Sequence, residues 1–245
     1  MKERLSQSET LVDVLRSSLL HSIHNLETWE AQDAVMRAVY FSEHVHATDP
    51  PRRNGDAYIV HPFRMTQTLF EANVTDEQIL LATLLHDTIE SAVTQNDTCQ
   101  SQGLTTNRPI ERTFDVPGGA HAMYERLRHA FGDDVAALVD FLSILSPSGD
   151  LDHYEEFLKQ NIGQDPRVAV VKTVDVLDNT LDLEFSTKNQ LQKYCLIIPA
   201  LLRSLSSYPD VHSHAAAKHL EVKLRSRYSS IREQLYVSFL ANDSL

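Results

Sequence analysis

The chain has 245 residues, and 34 Asp and Glu outweigh 22 Lys and Arg, giving a formal net charge of -12. A body this acidic repels a phosphate backbone and argues against nucleic-acid partners. Only Cys99 and Cys195 are present, which excludes a disulfide scaffold and fits a reducing compartment. With 42% apolar and 23% charged residues the composition is that of an ordinary globular protein. No apolar stretch reaches the ~20 residues of a membrane span, and the polar N-terminus MKERLSQSE lacks a signal-peptide core, so a cytoplasmic protein without membrane contact is expected.

In chain order, Leu11, Leu15, Leu19 and Ile23 recur at helical spacing and predict a first helix. Residues 29–46 predict a second, with Val35, Ala38, Val39 and Ser42 facing inward, ended by Pro50 and Pro51. Residues 52–56, RRNGD, read as a polar turn, and Tyr58, Ile59 and Val60 as a short extended piece. His61-Pro62 opens a helix to about residue 72, proline being favoured in a first turn. Thr75 with Gln78 reads as a capping box for one helix over about 76–93. Residues 94–119, polar and rich in Pro and Gly, read as a surface insertion.

Further helices are expected at about 132–145, 152–162, 167–185, 188–206 and 211–240. Asp165-Pro166 supplies the cap and first position of the third of these. The fold class is therefore all-α, a single-domain helical bundle. Its expected parts are an N-terminal helix at 1–27, a central domain at 28–206 and a C-terminal helix at 207–245 packing on it. Leu220, Leu224, Ile231 and Leu235 form a stripe that could serve a homodimer, although such stripes ordinarily line a core.

Four features could carry chemistry, each with a bland alternative. His86-Asp87 ends the apolar run of LLATLLHDTIES; a buried charged pair there is costly unless compensated, or the apolar face simply ends at solvent. His61, beside Pro62, is either a ligand or a packed histidine. Asp175 shares a helix face with Asn179 and Asp182, whereas Asp178 and Asp182 read most simply as a solvated surface. Glu90 shares the face of His86 and Asp87, or pairs with a surface cation. Together, two imidazoles and two carboxylates suit a divalent first-row ion with coordination positions left for substrate. Glu90 would then orient or deprotonate water, and Asn179 would hold a ligand or substrate oxygen.

The order RRNGDAYIVHP, LLATLLHDTIES, FGDDVAALVDFLSIL, DPRVAVVKTVDVLDNTLDL resembles the HD-domain hydrolases of the RelA/SpoT alarmone family over roughly residues 41–185. There the corresponding motifs are R-K-x-G-x-P-Y-x-x-HP, HDxxED, FG-x-x-VA-x-LV-x-x-x-T-K-L and D-x-RV-x-x-x-K-x-AD-x-x-x-N. The resemblance implies an HD-type helical fold, one divalent ion (usually Mn2+) and removal of the 3′-pyrophosphate of (p)ppGpp. The length leaves no room for a synthetase domain, so a stand-alone small alarmone hydrolase is expected.

By position, the resemblance makes His61, His86, Asp87 and Asp175 the metal ligands and places Glu90 and Ser91 at the catalytic pair. Arg52, Tyr58, Ser143, Asn179 and Asp182 fall at substrate-binding positions. Ser91 stands where the family has its second acid, Ile144 replaces a lysine, Ala57 a proline, and Asp182 a frequent threonine. These departures keep open two alternatives: another phosphorylated nucleotide as substrate, such as an adenosine alarmone or NADPH, or a weakly catalytic nucleotide-binding regulator.

Overall fold

The computed structural model describes residues 2–101, 119–143, 165–181, 183–206 and 211–242. All of the described regular structure is helical, with no strand among the described residues. The helices are α1 (Lys2–Ile23), α2 (Trp29–His46), α3 (Val60–Glu71), α4 (Glu77–Leu85), α5 (Thr88–Ser101), α6 (Gly119–Phe131), α7 (Asp133–Leu142), α8 (Pro166–Asn179), α9 (Lys188–Ser206) and α10 (Val211–Asn242), with a 3-10 turn at Leu183–Phe185. The expected helix over 152–162, most of the 94–119 insertion, Ile144 and Asp182 lie outside the described residues.

The chain divides into two compact units. One comprises residues 1–67 and 75–145, the other residues 68–74 and 146–245. In the first unit α2 packs on α1, α4 and α5, α5 on α6, and α7 on α4 and α6. Val35, Ala38, Val39 and Ser42 are all buried, as their spacing predicts, and the periodic face continues to Val45 and His46. Thr28 caps α2 by accepting from the Ala31 amide. The 52–56 turn forms as read: the Gly55 amide donates to the Arg52 carbonyl, and Gly55 adopts φ +93°.

Three local expectations are corrected. Tyr58 and Ile59 form a turn leading into α3, not an extended piece. The cap of α4 is Asp76, whose side chain accepts from the Ile79 amide at 3.0 Å, so Thr75 is not the capping residue. Residues 76–93 are not one helix: α4 stops at Leu85 and α5 starts at Thr88, while helix continues into the expected insertion as far as Ser101. The Thr88 hydroxyl donates to the Leu85 carbonyl at 2.6 Å, engaging an acceptor left at the end of α4.

In the second unit α8, α9 and α10 pack on one another. Leu220, Leu224 and Ile231 are fully buried there and Leu235 is half-buried, so most of this stripe lines the core of the unit. The helix expected over 167–185 ends at Asn179 and is followed by the short 3-10 turn. Asp165 caps α8 as expected, accepting from the Arg167 amide at 2.9 Å ahead of Pro166. Asp165→Ala should cost about 1 kcal/mol through loss of this cap, read as a lower urea midpoint at unchanged slope.

Candidate metal centre

In the first unit α4 is buried along its whole apolar run, Ile79 to Leu85, and carries the chain into the interior. His86 and Asp87 occupy the turn between α4 and α5. Their side chains converge: His86 Nε2 lies 3.1 Å from Asp87 Oδ1. His61, in the first turn of α3, joins them, its Nε2 3.8 Å from Asp87 Oδ2. The two imidazoles sit with ring centroids 5.1 Å apart and offer ring nitrogens within 4.8 Å of one another. Tyr58 closes the group, donating from Oη to Asp87 Oδ2 at 2.7 Å.

The electrostatics follow from burial. Desolvation alone would raise the Asp87 carboxyl, but the charges of His86 and His61 and the bonds from His86 and Tyr58 outweigh it and hold Asp87 well below the usual carboxylate range. Burial, then the Asp87 charge, pushes the Tyr58 phenol far above its ordinary value, while Arg52 acts in the opposite sense. Tyr58 is therefore a permanent donor to Asp87.

The donor set fits a divalent cation. His86 Nδ1 lies 2.9 Å from the Thr83 carbonyl, which can only accept, so Nδ1 carries the proton. In the neutral ring Nε2 then presents a lone pair. That atom is buried and makes no well-aligned hydrogen bond, its nearest polar neighbour being the Asp87 carboxylate 3.1 Å away. Two lone-pair atoms at this distance repel unless a proton or a metal cation lies between them. A histidine oriented by a backbone carbonyl through its other nitrogen is the usual arrangement of a metal ligand.

The other expected residues fall as follows. In the second unit Asp175 is buried on α8, flanked by Lys172 (Nζ to Oδ2 3.4 Å) and Asn179, whose amide donates to Asp175 Oδ1. Asp178, expected on a solvated face, is buried as well, because nearly all of α8 up to that residue is enclosed. Asp182 lies outside the described residues. In the first unit Ser143 is buried, its hydroxyl donating to the Val139 carbonyl at 3.0 Å and lying 3.5 Å from the His86 carbonyl. Glu90 is half-buried in the first turn of α5, its charge felt at Tyr58.

Ser91 enters a network that the sequence did not reveal. Its hydroxyl donates to Asp49 Oδ2 at 2.6 Å, and His46 Nδ1 lies 2.7 Å from the same oxygen. Gln95 Nε2 donates to Asp49 Oδ1 at 3.0 Å. The one available signal was His46 itself, a polar residue on the periodic inward face of α2. Burial would raise the Asp49 carboxyl, but donation from His46, Ser91 and Gln95 brings it below its ordinary value. Asp165 is lowered similarly, its burial outweighed by Arg167.

Carboxyls depressed in the folded state stabilise it above their unfolded pKa and lose that contribution as pH falls through the folded value. The melting temperature should therefore be flat above about pH 5 and drop below about pH 4. A melting temperature that rises on acidification across that window would contradict this assignment.

A His/Asp centre on a helical frame, able to hold a divalent ion, defines the class. Residues 38–203 match the model of the HD domain, and the chain belongs to that family. It is 27% identical over 155 residues to a guanosine-3′,5′-bis(diphosphate) 3′-pyrophosphohydrolase of Aquifex aeolicus, covering 62% of this chain and 18% of that one. It is 31% identical over 163 residues to a GTP pyrophosphokinase of Streptomyces coelicolor, covering 65% of this chain and 16% of the relative. The chain thus spans less than a fifth of the length of these relatives. In fold it is similar to a metazoan ortholog of SpoT that hydrolyses ppGpp and plays a role in starvation responses, with a TM-score of 0.55 and 20% identity over 80% of this chain and 94% of that one. The resemblance carried by the four motifs is borne out at the level of the family. No helix among the described residues is long and apolar enough to cross a membrane.

Proposed function

We propose that the chain is a metal-dependent phosphohydrolase that removes the 3′-pyrophosphate from (p)ppGpp-type alarmones. The observation that carries this reading is the convergence of the buried His86 and His61 ring nitrogens on the Asp87 carboxylate. The motif correspondence completes the ligand set with Asp175, and Mn2+ is the proposed ion. A divalent ion held there would supply Lewis acidity, neutralising phosphoryl charge and making water a better nucleophile. Asp87 stays ionised to hold the ion, and Tyr58 stays protonated to hold Asp87. Glu90 accepts the proton of the attacking water. Ser91 is unsuited to that task, since its hydroxyl proton is given to Asp49. Arg52 binds phosphate, and Asn179 orients Asp175 or a substrate oxygen. Ser143 and Asp182 are the remaining proposed substrate contacts.

The reading is tested by incubating the purified protein with Mn2+ and a panel of ppGpp, pppGpp, adenosine alarmones and NADPH, and measuring the release of pyrophosphate or phosphate. Pyrophosphate released from ppGpp, and lost on chelation, is the expected result. Turnover confined to another nucleotide would reassign the substrate. Tight nucleotide binding without turnover would make the protein a regulator and overturn the hydrolase.

A further inference from the structure

We propose that His46 and Asp49, tied together by Ser91 and Gln95, form a buried positioning pair that holds Tyr58, and through it the Asp87 carboxylate, in the orientation a divalent cation needs. The inference rests on the metal-centre reading above and adds residues outside its ligand set.

The chain of contacts is continuous within the first unit. Asp49 accepts from His46 Nδ1 and from the Ser91 hydroxyl on one carboxylate oxygen, and from Gln95 on the other. Gln95 also donates to the Val45 carbonyl at 3.0 Å, tying α5 to the end of α2. Asp49 can only accept, so His46 carries its proton on Nδ1 and its ring plane is fixed. That ring lies nearly flat on Tyr58, with centroids 4.9 Å apart and planes 25° apart. Tyr58 meets His61 edge-on, at 6.3 Å and 83°, and spends its hydroxyl on Asp87 Oδ2. With Oδ2 anchored by the phenol, Oδ1 is the oxygen turned to His86. His46 is itself nine-tenths buried and its Nε2 has no hydrogen-bond partner, so the ring is held by Asp49 and by stacking.

Ser91 acquires a positive role. Its oxygen lies 3.1 Å from His46 Nδ1 and 2.6 Å from the Asp49 carboxylate. A carboxylate at 91 would face that of Asp49 at hydrogen-bond distance, where two ionised acids repel. A hydroxyl at 91 and an acid at 49 are thus complementary partners in one buried bond. The same geometry implies that the acid could sit on either side, since both positions reach the same nitrogen of His46.

The test is Mn2+ affinity by calorimetry, without substrate, on proteins shown by circular dichroism to be folded. Asp49→Ser should weaken Mn2+ binding by about 10-fold, the lower end of the effect of removing a group that orients a ligand. Ser91→Asp should weaken it through like-charge contact, and the double variant Asp49→Ser/Ser91→Asp should recover most of the affinity. In a Tyr58→Phe background Asp49→Ser should have little further effect, because the route runs through the phenol. Asp49→Asn, equal in shape, should weaken binding in the same direction and serves if the serine variant does not fold. Wild-type affinity in both Asp49 variants, or a swap weaker than either single change, would overturn the pair alone. Absence of Mn2+ binding by the wild type would overturn the metal centre and this inference with it.

Discussion

Replacing Asp87 by alanine is expected to abolish Mn2+-dependent turnover and to weaken Mn2+ binding by more than about 100-fold, beyond the range seen when only a ligand's supporting partner is lost. The carboxylate is the hub of the site. It is 3.1 Å from one imidazole, 3.8 Å from the other and accepts the Tyr58 hydroxyl. Alanine removes the negative charge that offsets a divalent cation and leaves the half-buried Tyr58 hydroxyl without this acceptor. Asp87→Asn keeps the volume and an oxygen but not the charge, so it should bind metal poorly while unfolding close to wild type. Activity retained in both variants would place the chemistry elsewhere.

Phe63→Ala is expected to cost about 3–5 kcal/mol in unfolding free energy, the range for removing a buried phenyl ring. Phe63 is fully buried in α3. It lies two residues beyond His61, where the helix must be held for that imidazole to reach Asp87. A cavity there cannot be filled by neighbours already close-packed. Urea denaturation followed by circular dichroism measures the loss, with the slope expected to stay constant. A loss below about 1 kcal/mol would show that the surroundings collapse into the space. Mn2+ affinity should fall with it, because α3 would shift relative to the turn at His86.

Much of the fold is legible in local pattern. The inward face of α2, the Asp165-Pro166 start of α8 and the turn at Gly55 each follow from physics acting within a few residues: burial periodicity, capping, and a φ that suits glycine. The interruption at His86 and Asp87 is not legible that way. The apolar run through Leu85 and the residues after it carry no helix breaker, and the turn emerges only in the folded chain, where the Thr88 hydroxyl bonds the Leu85 carbonyl. Asp178 reads as a surface acid for a similar reason, since its burial follows from the enclosure of α8 and not from any neighbour in sequence.

The candidate site divides along the same line. His61, His86 and Asp87, and Asp175 in the second unit, stand in ordered motifs and could be singled out as candidates from the sequence. His46 is signalled only by its place on the inward face of α2 and Asp49 by nothing local, because the bonds that matter join residues 42 and 45 positions apart in the chain. Seen alone, Ser91 marks a missing acid; in the structure it donates to one.

The most direct test of the central claim is anomalous diffraction from crystals grown with Mn2+. One strong peak is predicted, with His61, His86, Asp87 and Asp175 each contributing an atom at bonding distance, about 2.0–2.3 Å. A crystal with no peak there, or with the ion held by other residues, would contradict the account.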